Sequence, residues 1–287
     1  MPELPEVETI RRDLSKRICR KKIVKIEIRK PKIVRGSAES FRKSLVGRSF
    51  SRVDRRAKLL ILSVAGGHDF LLIHLKMTGQ LIYESGRETV AGGHSWPPLD
   101  RRLPNKYSHV IFHFADRSKL FFNDLRQFGY VQLVTPAERN RVISRYGLEP
   151  LTNKFTLADF TRGVRGRAAR LKSVLLNQEI IAGIGNIYAD EICHAAGVRP
   201  GRRVSTLTLP EIKRLFVAAG KILRRAVEKR GTTFSDYVDA DGRTGNYVRY
   251  LRVYQRDGEK CRTCHRGVIK KIKIGSRGTH FCPVCQK

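Results

Sequence analysis

Residues 261–285 read CRTCHRGVIKKIKIGSRGTHFCPVC, and the spacing of their cysteines decides how the end of the chain folds. Cys261 and Cys264 form one C-x2-C pair, Cys282 and Cys285 a second, with seventeen residues between the pairs. Each pair can chelate, and the intervening length suits a β-hairpin that brings the two together. Four thiolates at about 2.3 Å satisfy tetrahedral zinc with no open coordination position, so one structural Zn(2+) is expected. Iron–sulfur ligation by the same cysteines, or two unrelated thiol pairs, are the alternatives. Residues 246–287 hold 11 basic and 2 acidic side chains and are too few to build an apolar core, so this module needs its metal. In the hairpin, 268–274 runs out, 275–278 turns and 279–281 returns. Arg277 falls at the tip, where its planar fork can grip a phosphate or enter a groove. It can equally be one more solvated arginine.

The rest of the chain fits a nucleic-acid partner. Its 287 residues carry 58 basic and 26 acidic side chains, a net charge of +32, which exceeds the needs of solubility and predicts a polyanion. Phosphate neutralisation supplies sequence-independent affinity, so nucleic acid comes first. No apolar run approaches the roughly 18–20 residues of a spanning helix, and no membrane partner is expected. The start, MPELPEVETIRRDL, has acids where a secretory signal needs a basic segment and an apolar block. A cytoplasmic location follows, bacterial nucleoid when on DNA. Cys19 and Cys193 read as buried small hydrophobes.

Hydrophobic periodicity divides what precedes the hairpin. Val7, Ile10, Leu14 and Ile18 make a helical stripe over 4–20. Six strand-like runs follow, at 23–28, 59–64, 70–75, 109–114, 119–122 and 130–134, and predict an antiparallel sandwich. The stretch 84–106, with glycines, prolines and Trp96, reads as a mobile loop. Beyond Pro136 the pattern turns helical, at 157–162, 168–176, 187–196 and 210–230. The fold class is α+β: an N-terminal antiparallel β-sandwich with a leading helix, a helical domain, and a C-terminal zinc β-hairpin. The expected divisions are 1–136, a linker at 137–154, 155–245 and 246–287.

The N-terminus can hold chemistry. A small residue at position 2 normally permits removal of Met1, which would leave Pro2 with a free secondary amine. An α-amine titrates near about 8, so an appreciable fraction is neutral and nucleophilic at physiological pH. Its attack on an aldehyde-level carbon gives a cationic iminium, an electron sink. Glu3 could protonate a departing sugar oxygen, and Glu6 could support it from the first helical turn. Taken alone, proline at position 2 is common and acids favour helix starts for dipole reasons.

MPELPEVET at the start, RRAK at 55–58, HLKMTG at 74–79, DLRQFG at 124–129, AGIGNIYADE at 182–191 and the cysteine hairpin together resemble formamidopyrimidine-DNA glycosylase, in family order along the whole chain. The resemblance implies a helix–two-turn–helix in the second domain, duplex DNA held between domains, and a monomer. It implies excision of 8-oxoguanine opposite cytosine and of formamidopyrimidines, then strand cleavage by β,δ-elimination. By it, Pro2 attacks C1′, Glu3 is the general acid, Lys58 donates a proton and binds phosphate during β-elimination, and Arg277 grips phosphate for the second elimination. Without the motif, Lys58 would read as a strand-edge surface lysine. Met77, Arg126 and Phe128 match a trio that fills the void left by base flipping, although singly Met77 and Phe128 read as core. Asn186 matches a phosphate-contacting asparagine, where helix N-termini also offer N–H groups. His74 and Arg167 match further DNA contacts, and 232–246 matches the loop closing over the flipped base. Two positions depart from the family: Tyr107 stands where histidine is common, and Gln127 where a second basic residue is frequent.

Two rival readings remain. An endonuclease VIII-like enzyme shares Pro2, Glu3 and the helix–two-turn–helix but prefers oxidised pyrimidines; the ELPEVET start and the Met77/Arg126/Phe128 set argue against it. A non-catalytic zinc-finger DNA binder of the same fold would be marked by retained Met1.

Overall fold

The computed structural model describes residues 1–86, 88–93, 102–232 and 247–287, in two compact units. Unit 1 comprises residues 1–143 and 229–246; unit 2 comprises 144–228 and 247–287. Among the described residues no helix is long and apolar enough to cross a membrane.

Unit 1 opens with helix α1 (Leu4–Arg17), whose buried Leu4, Val7, Ile10 and Leu14 are the stripe read from the sequence. Its start is fixed by a capping box in which Glu6 Oε2 accepts from Glu3 N at 2.9 Å and Glu3 reciprocates. A short helix α2 (Ala38–Leu45), capped by the Ser37 hydroxyl, and α3 (Pro136–Ile143) complete its helices. The strands are β1 (Ile23–Ile28), β2 (Phe50–Arg56), β3 (Leu59–Val64), β4 (Phe70–His74), β5 (Gly79–Glu84), β6 (Thr89–Gly93), β7 (Ser108–Phe114), β8 (Lys119–Asp124) and β9 (Tyr130–Val134).

They form two antiparallel sheets, β1-β7-β8-β5-β6 and β2-β3-β4-β9. The inward alternation of Leu60 and Leu62, Leu71 and Ile73, Phe112 and Phe114, and Leu120 and Phe122 fills one core between them. Burial of a side chain such as Phe112 contributes about 1.5–3 kcal/mol. A second cluster of Ile82, Ile111 and Phe121 covers the other face of the five-stranded sheet, with Leu103 packed against it. That explains why the middles of β7 and β8, 110–112 and 120–122, are apolar on both faces.

Part of the stretch expected as a mobile loop is ordered. Residues 89–93 pair with β5 as β6, a strand that two glycines conceal in the sequence. Residue 87 and residues 94–101, Trp96 among them, lie outside the described residues. So do 233–246 of the segment matched to the lesion loop.

Unit 2 packs α4 (Leu157–Val164), α5 (Leu171–Leu176), α6 (Asn186–Ala195) and α7 (Leu209–Glu228) around Phe160, Tyr188, Leu215 and Leu223. The hairpin is β10 (Lys270–Ile274) with β11 (Arg277–Phe281). Ile274 pairs with Arg277, so the turn is the two residues Gly275-Ser276 rather than the four of 275–278. Arg277 is therefore the first residue of the returning strand, and it is exposed.

Candidate functional site

The start of α1 gathers three of the residues singled out for chemistry. Pro2 is buried, Glu3 is 2% exposed and Glu6 is buried beside them. Glu6 has two duties: one oxygen caps α1, and Oε1 accepts from Thr232 N at 2.7 Å and Thr232 Oγ1 at 3.0 Å. Arg230 reaches Asp13 of the same helix at 2.6 Å. The segment after α7 thus returns to unit 1 and closes on the helix start. With Met1 present, burial pulls the terminal amine below its ordinary value, Glu3 and Glu6 oppose that shift, and Lys58 adds to it. An amine so placed is more readily neutral, the form that attacks carbon.

Lys58 is 5% exposed, not a surface lysine. It lies in the two-residue turn between β2 and β3, where Arg56 pairs with Leu59 and Ala57 takes a φ of 53°. A left-handed alanine is strained, and the Arg55 guanidinium donates to its carbonyl at 2.8 Å. Turn geometry, rather than any strand pattern, turns the lysine inward.

His74 ends β4. Its Nδ1 accepts from Lys76 N at 3.0 Å, which leaves the proton on Nε2. Burial, then the charges of Lys76, Lys58 and Arg35, push its pKa down to about 3. The ring is a neutral donor at physiological pH. In the unfolded chain it takes up a proton near about 6.5, whereas the folded chain refuses one until about 3, so this contribution to stability is complete above the first value and is lost as pH falls towards the second. We expect the His74 ring resonances to stay at neutral-tautomer positions from pH 8 to about 5. An NMR titration midpoint above about 6 would contradict the placement.

The motifs HLKMTG and DLRQFG, far apart in sequence, are neighbours because Gly79 of β5 pairs with Asp124 of β8. Arg126 Nη1 lies 3.1 Å from Met77 Sδ, and its guanidinium sits 4.6 Å from the Phe128 ring centre. Phe128 is 52% exposed and Arg126 is exposed, so the three side chains form a cluster facing outward rather than core. Gln127, with φ of 57°, makes the tip between them.

Asp124, which the sequence reading passed over, organises this loop. Its buried carboxylate accepts from Thr78 Oγ1, from Arg126 N at 3.2 Å and from Gly129 N at 2.7 Å. Its carbonyl bonds His109 Nε2 at 2.7 Å, and its own N–H donates to the carbonyl of Tyr107 at 3.1 Å. Gly129 is required there, since an added Cβ would stand 2.7 Å from the Phe122 ring and 3.0 Å from Asp124 Oδ2. Asp124→Ala leaves Gly129 N and the Thr78 hydroxyl without their acceptor, while Arg126 N keeps Thr78 Oγ1 at 2.9 Å, and should cost about 2–5 kcal/mol in urea unfolding. A loss under about 1 kcal/mol would show that the loop is held otherwise.

In unit 2, Asn186 is the first residue of α6, and its Oδ1 is buried with no hydrogen-bond partner among the described residues. The loop leading to it is stapled by Gln178, which donates to the carbonyls of Leu176 and Ile184 and accepts from Gly183 N at 2.8 Å. No sequence signal marked Gln178. Arg167 is exposed beyond α4, with Nε on the Gly163 carbonyl at 2.8 Å. No bond brings it to Asn186.

The four hairpin cysteines converge. Their sulfurs lie within 4.8 Å of one another, at 3.7 Å for Cys261–Cys285 and for Cys264–Cys282. A tetrahedral zinc with four bonds of about 2.3 Å requires sulfurs about 3.8 Å apart, whereas a disulfide needs about 2.05 Å. The donor set fits zinc, held by Cys261, Cys264, Cys282 and Cys285. Backbone N–H groups of Thr263, Gly267 and Cys285 each donate to a sulfur at 3.4 Å. Gly267 lets the chain approach so closely, because a Cβ there would stand 2.7 Å from Cys282 Sγ.

The hairpin is also tied to α5 and α6. Lys172, fully buried, bonds Asp190 at 2.6 Å and the Gly278 carbonyl at 2.8 Å. Asp190 accepts from His280 N at 2.8 Å, and Glu191 accepts from the N–H groups of Arg252, Val253 and Tyr254. These bonds fix the strand that begins at Arg277.

A buried terminal amine beside a carboxylic acid, an outward trio on a sandwich, and a zinc-bearing basic hairpin on a helical unit define a DNA-repair glycosylase. The chain belongs to the formamidopyrimidine-DNA glycosylase family. Family models match along its length: the formamidopyrimidine-DNA glycosylase N-terminal domain over 1–131, the H2TH domain over 146–237, and the zinc finger found in FPG and IleRS over 258–287. It is 40% identical to formamidopyrimidine-DNA glycosylases of Pelotomaculum thermopropionicum, covering 100% of this chain and 99% of the relative, and of Listeria monocytogenes, covering 100% of both. It resembles Lactococcus lactis Fpg in complex with abasic-site DNA, with a TM-score of 0.87, 34% identity and 99% of each chain covered. The wild-type Lactococcus protein with DNA containing N7-benzyl-Fapy-dG matches at 0.87 and 34%, over 100% of both chains.

Proposed function

We propose that this chain excises oxidised purines, 8-oxoguanine opposite cytosine and formamidopyrimidines, from duplex DNA and then cuts the strand at the emptied position. The observation that carries the reading is the terminal amine, held below its ordinary value by burial, with Glu3, Glu6 and Lys58 acting on it. Removal of Met1 takes that amine away and leaves the ring nitrogen of Pro2, a residue buried with Glu3 and Glu6, as the new terminal amine.

The neutral amine forms a bond to C1′ of the damaged nucleotide. Glu3 delivers its proton to the sugar ring oxygen, the ring opens, and the base departs with its bonding electrons. The nitrogen, having lost its own proton, becomes an iminium to C1′. This acidifies the C2′ proton, whose removal breaks the C3′–O bond and releases the 3′ phosphate. Lys58 binds phosphate and supplies a proton at that step, and a second elimination, aided by Arg277, releases the 5′ side. Glu6 keeps Glu3 and the helix start in place. Met77 fills the emptied stack, Arg126 addresses the orphaned cytosine and Phe128 wedges beside it; His74, Arg167 and Asn186 hold phosphates. Zinc, when bound, is a structural crosslink for the hairpin. The chain acts as a monomer in the cytoplasm, which suits six cysteines that form no disulfide, four of them the zinc ligands.

The test is borohydride trapping on a lesion panel, read together with the intact mass of the protein. A covalent adduct is expected on 8-oxoguanine opposite cytosine, from protein lacking Met1. No adduct from correctly processed protein would overturn the reading, and stronger trapping on thymine glycol would move the substrate to oxidised pyrimidines.

A further inference from the structure

We propose that His194 is an outer-sphere partner of the metal site, donating its Nε2–H to the sulfur of Cys261 and setting how tightly the finger holds zinc. His194 lies in the last turn of α6, 67 residues from that cysteine, and is 6% exposed. Its Nε2 stands 3.6 Å from Cys261 Sγ, within the range of an N–H···S bond. A metal-bound thiolate can only accept, so the ring nitrogen facing it carries the proton.

The electrostatic reason is direct. Four thiolates on a divalent ion leave a net charge of about −2. Cys261 and Cys282 are fully buried, in a shell of Val253, Ile269 and Val284 that offers this charge no solvation. Each N–H aimed at sulfur offsets part of that cost. The donors Thr263, Gly267 and Cys285 come with the local turn of each C-x2-C pair. His194 comes from the helix whose first residue is Asn186, so the same helix carries a candidate phosphate ligand at one end and a ligand-supporting donor at the other. Withdrawal of electron density from Cys261 also makes that sulfur a poorer nucleophile towards oxidants.

The inference rests on zinc occupying the four cysteines. Metal analysis of the unaltered protein tests that separately: without one zinc per chain the ligand reading fails first. Given zinc, full-length His194→Phe, which keeps a ring but has no donor, should bind it about 10- to 100-fold more weakly in chelator competition. In the cobalt-substituted protein its sulfur-to-metal charge-transfer band should move to longer wavelength. His194→Gln, whose amide can donate, should recover most of the affinity and the band position. An unmoved band and unchanged affinity in His194→Phe would overturn the proposal, as would His194→Gln matching His194→Phe in both. Should the phenylalanine variant fail to fold, the unaltered zinc protein still decides: a nitrogen-15 spectrum with the His194 proton on Nδ1 and Nε2 bare would refute the bond, and a protected Nε2–H would support it.

Discussion

Glu3→Gln should lower single-turnover release of 8-oxoguanine by about 10²–10⁴-fold, yet leave borohydride trapping on a preformed abasic site within a few-fold of the original. The split follows from where the proton is needed. Breaking the bond to an intact base requires a proton on the sugar oxygen as the ring opens. An abasic sugar already presents an aldehyde, and condensation of the amine with it does not call on that acid. Glutamine is the right replacement because its amide oxygen can still accept from the Glu6 N–H, so the capping box that starts α1 survives. Matched losses on both substrates would point to a damaged helix start instead, and no loss on either would remove Glu3 from the chemistry. Peptide mapping of the trapped adduct completes the test, since the modified nitrogen must be that of Pro2.

The second large effect belongs to the finger. Cys264→Ser should abolish stoichiometric zinc, because a serine hydroxyl replaces one of four thiolates whose metal supplies the folding energy of the hairpin, on the order of 10–16 kcal/mol in comparable modules. With the hairpin unfolded, Arg277 and the exposed Lys270, Lys271 and Lys273 no longer present a fixed basic surface. Affinity for duplex DNA should fall on the order of 100-fold near physiological salt, with a shallower dependence on salt because fewer phosphates are neutralised. Unfolding of the sandwich should be unchanged, because its core draws only on residues of unit 1. Retained zinc with unaltered affinity would contradict this.

How much of this was legible in the residues depended on whether the signal was local. The stripe of α1 and the limits of β1 and β3 read directly, because apolar periodicity is imposed by one buried face. β2 escaped notice: FSRVDRR offers only Phe50 and Val53 to the core, and the remainder is polar. β5 and β6 begin or end in glycine, and their pairing energy comes from partners distant in sequence. Within the site, Pro2, Glu3 and the cysteines were visible as types at a spacing. The inward turn of Lys58 was not, since it depends on Ala57 adopting a positive φ. Asp124 and Gln178 were missed for a shared reason: a buried side chain that satisfies backbone donors of a loop has no pattern until the loop is closed. Arg277 was placed inside the turn, whereas it opens the returning strand, because the hairpin closes on two residues rather than four.

Unit 1 is built from two pieces of chain separated by residues 144–228, and this fixes an order of events during synthesis. Glu6 can cap α1 as soon as the first turn forms, but Thr232 and Arg230, which close on Glu6 and Asp13, do not yet exist. At about 5–20 residues per second the ribosome needs roughly 10–45 s to reach them. For that interval the nascent terminus has emerged without its last neighbours and is open to an aminopeptidase. The maturation that would make Pro2 the first residue can therefore precede the arrival of the late segment at Glu6 and Asp13.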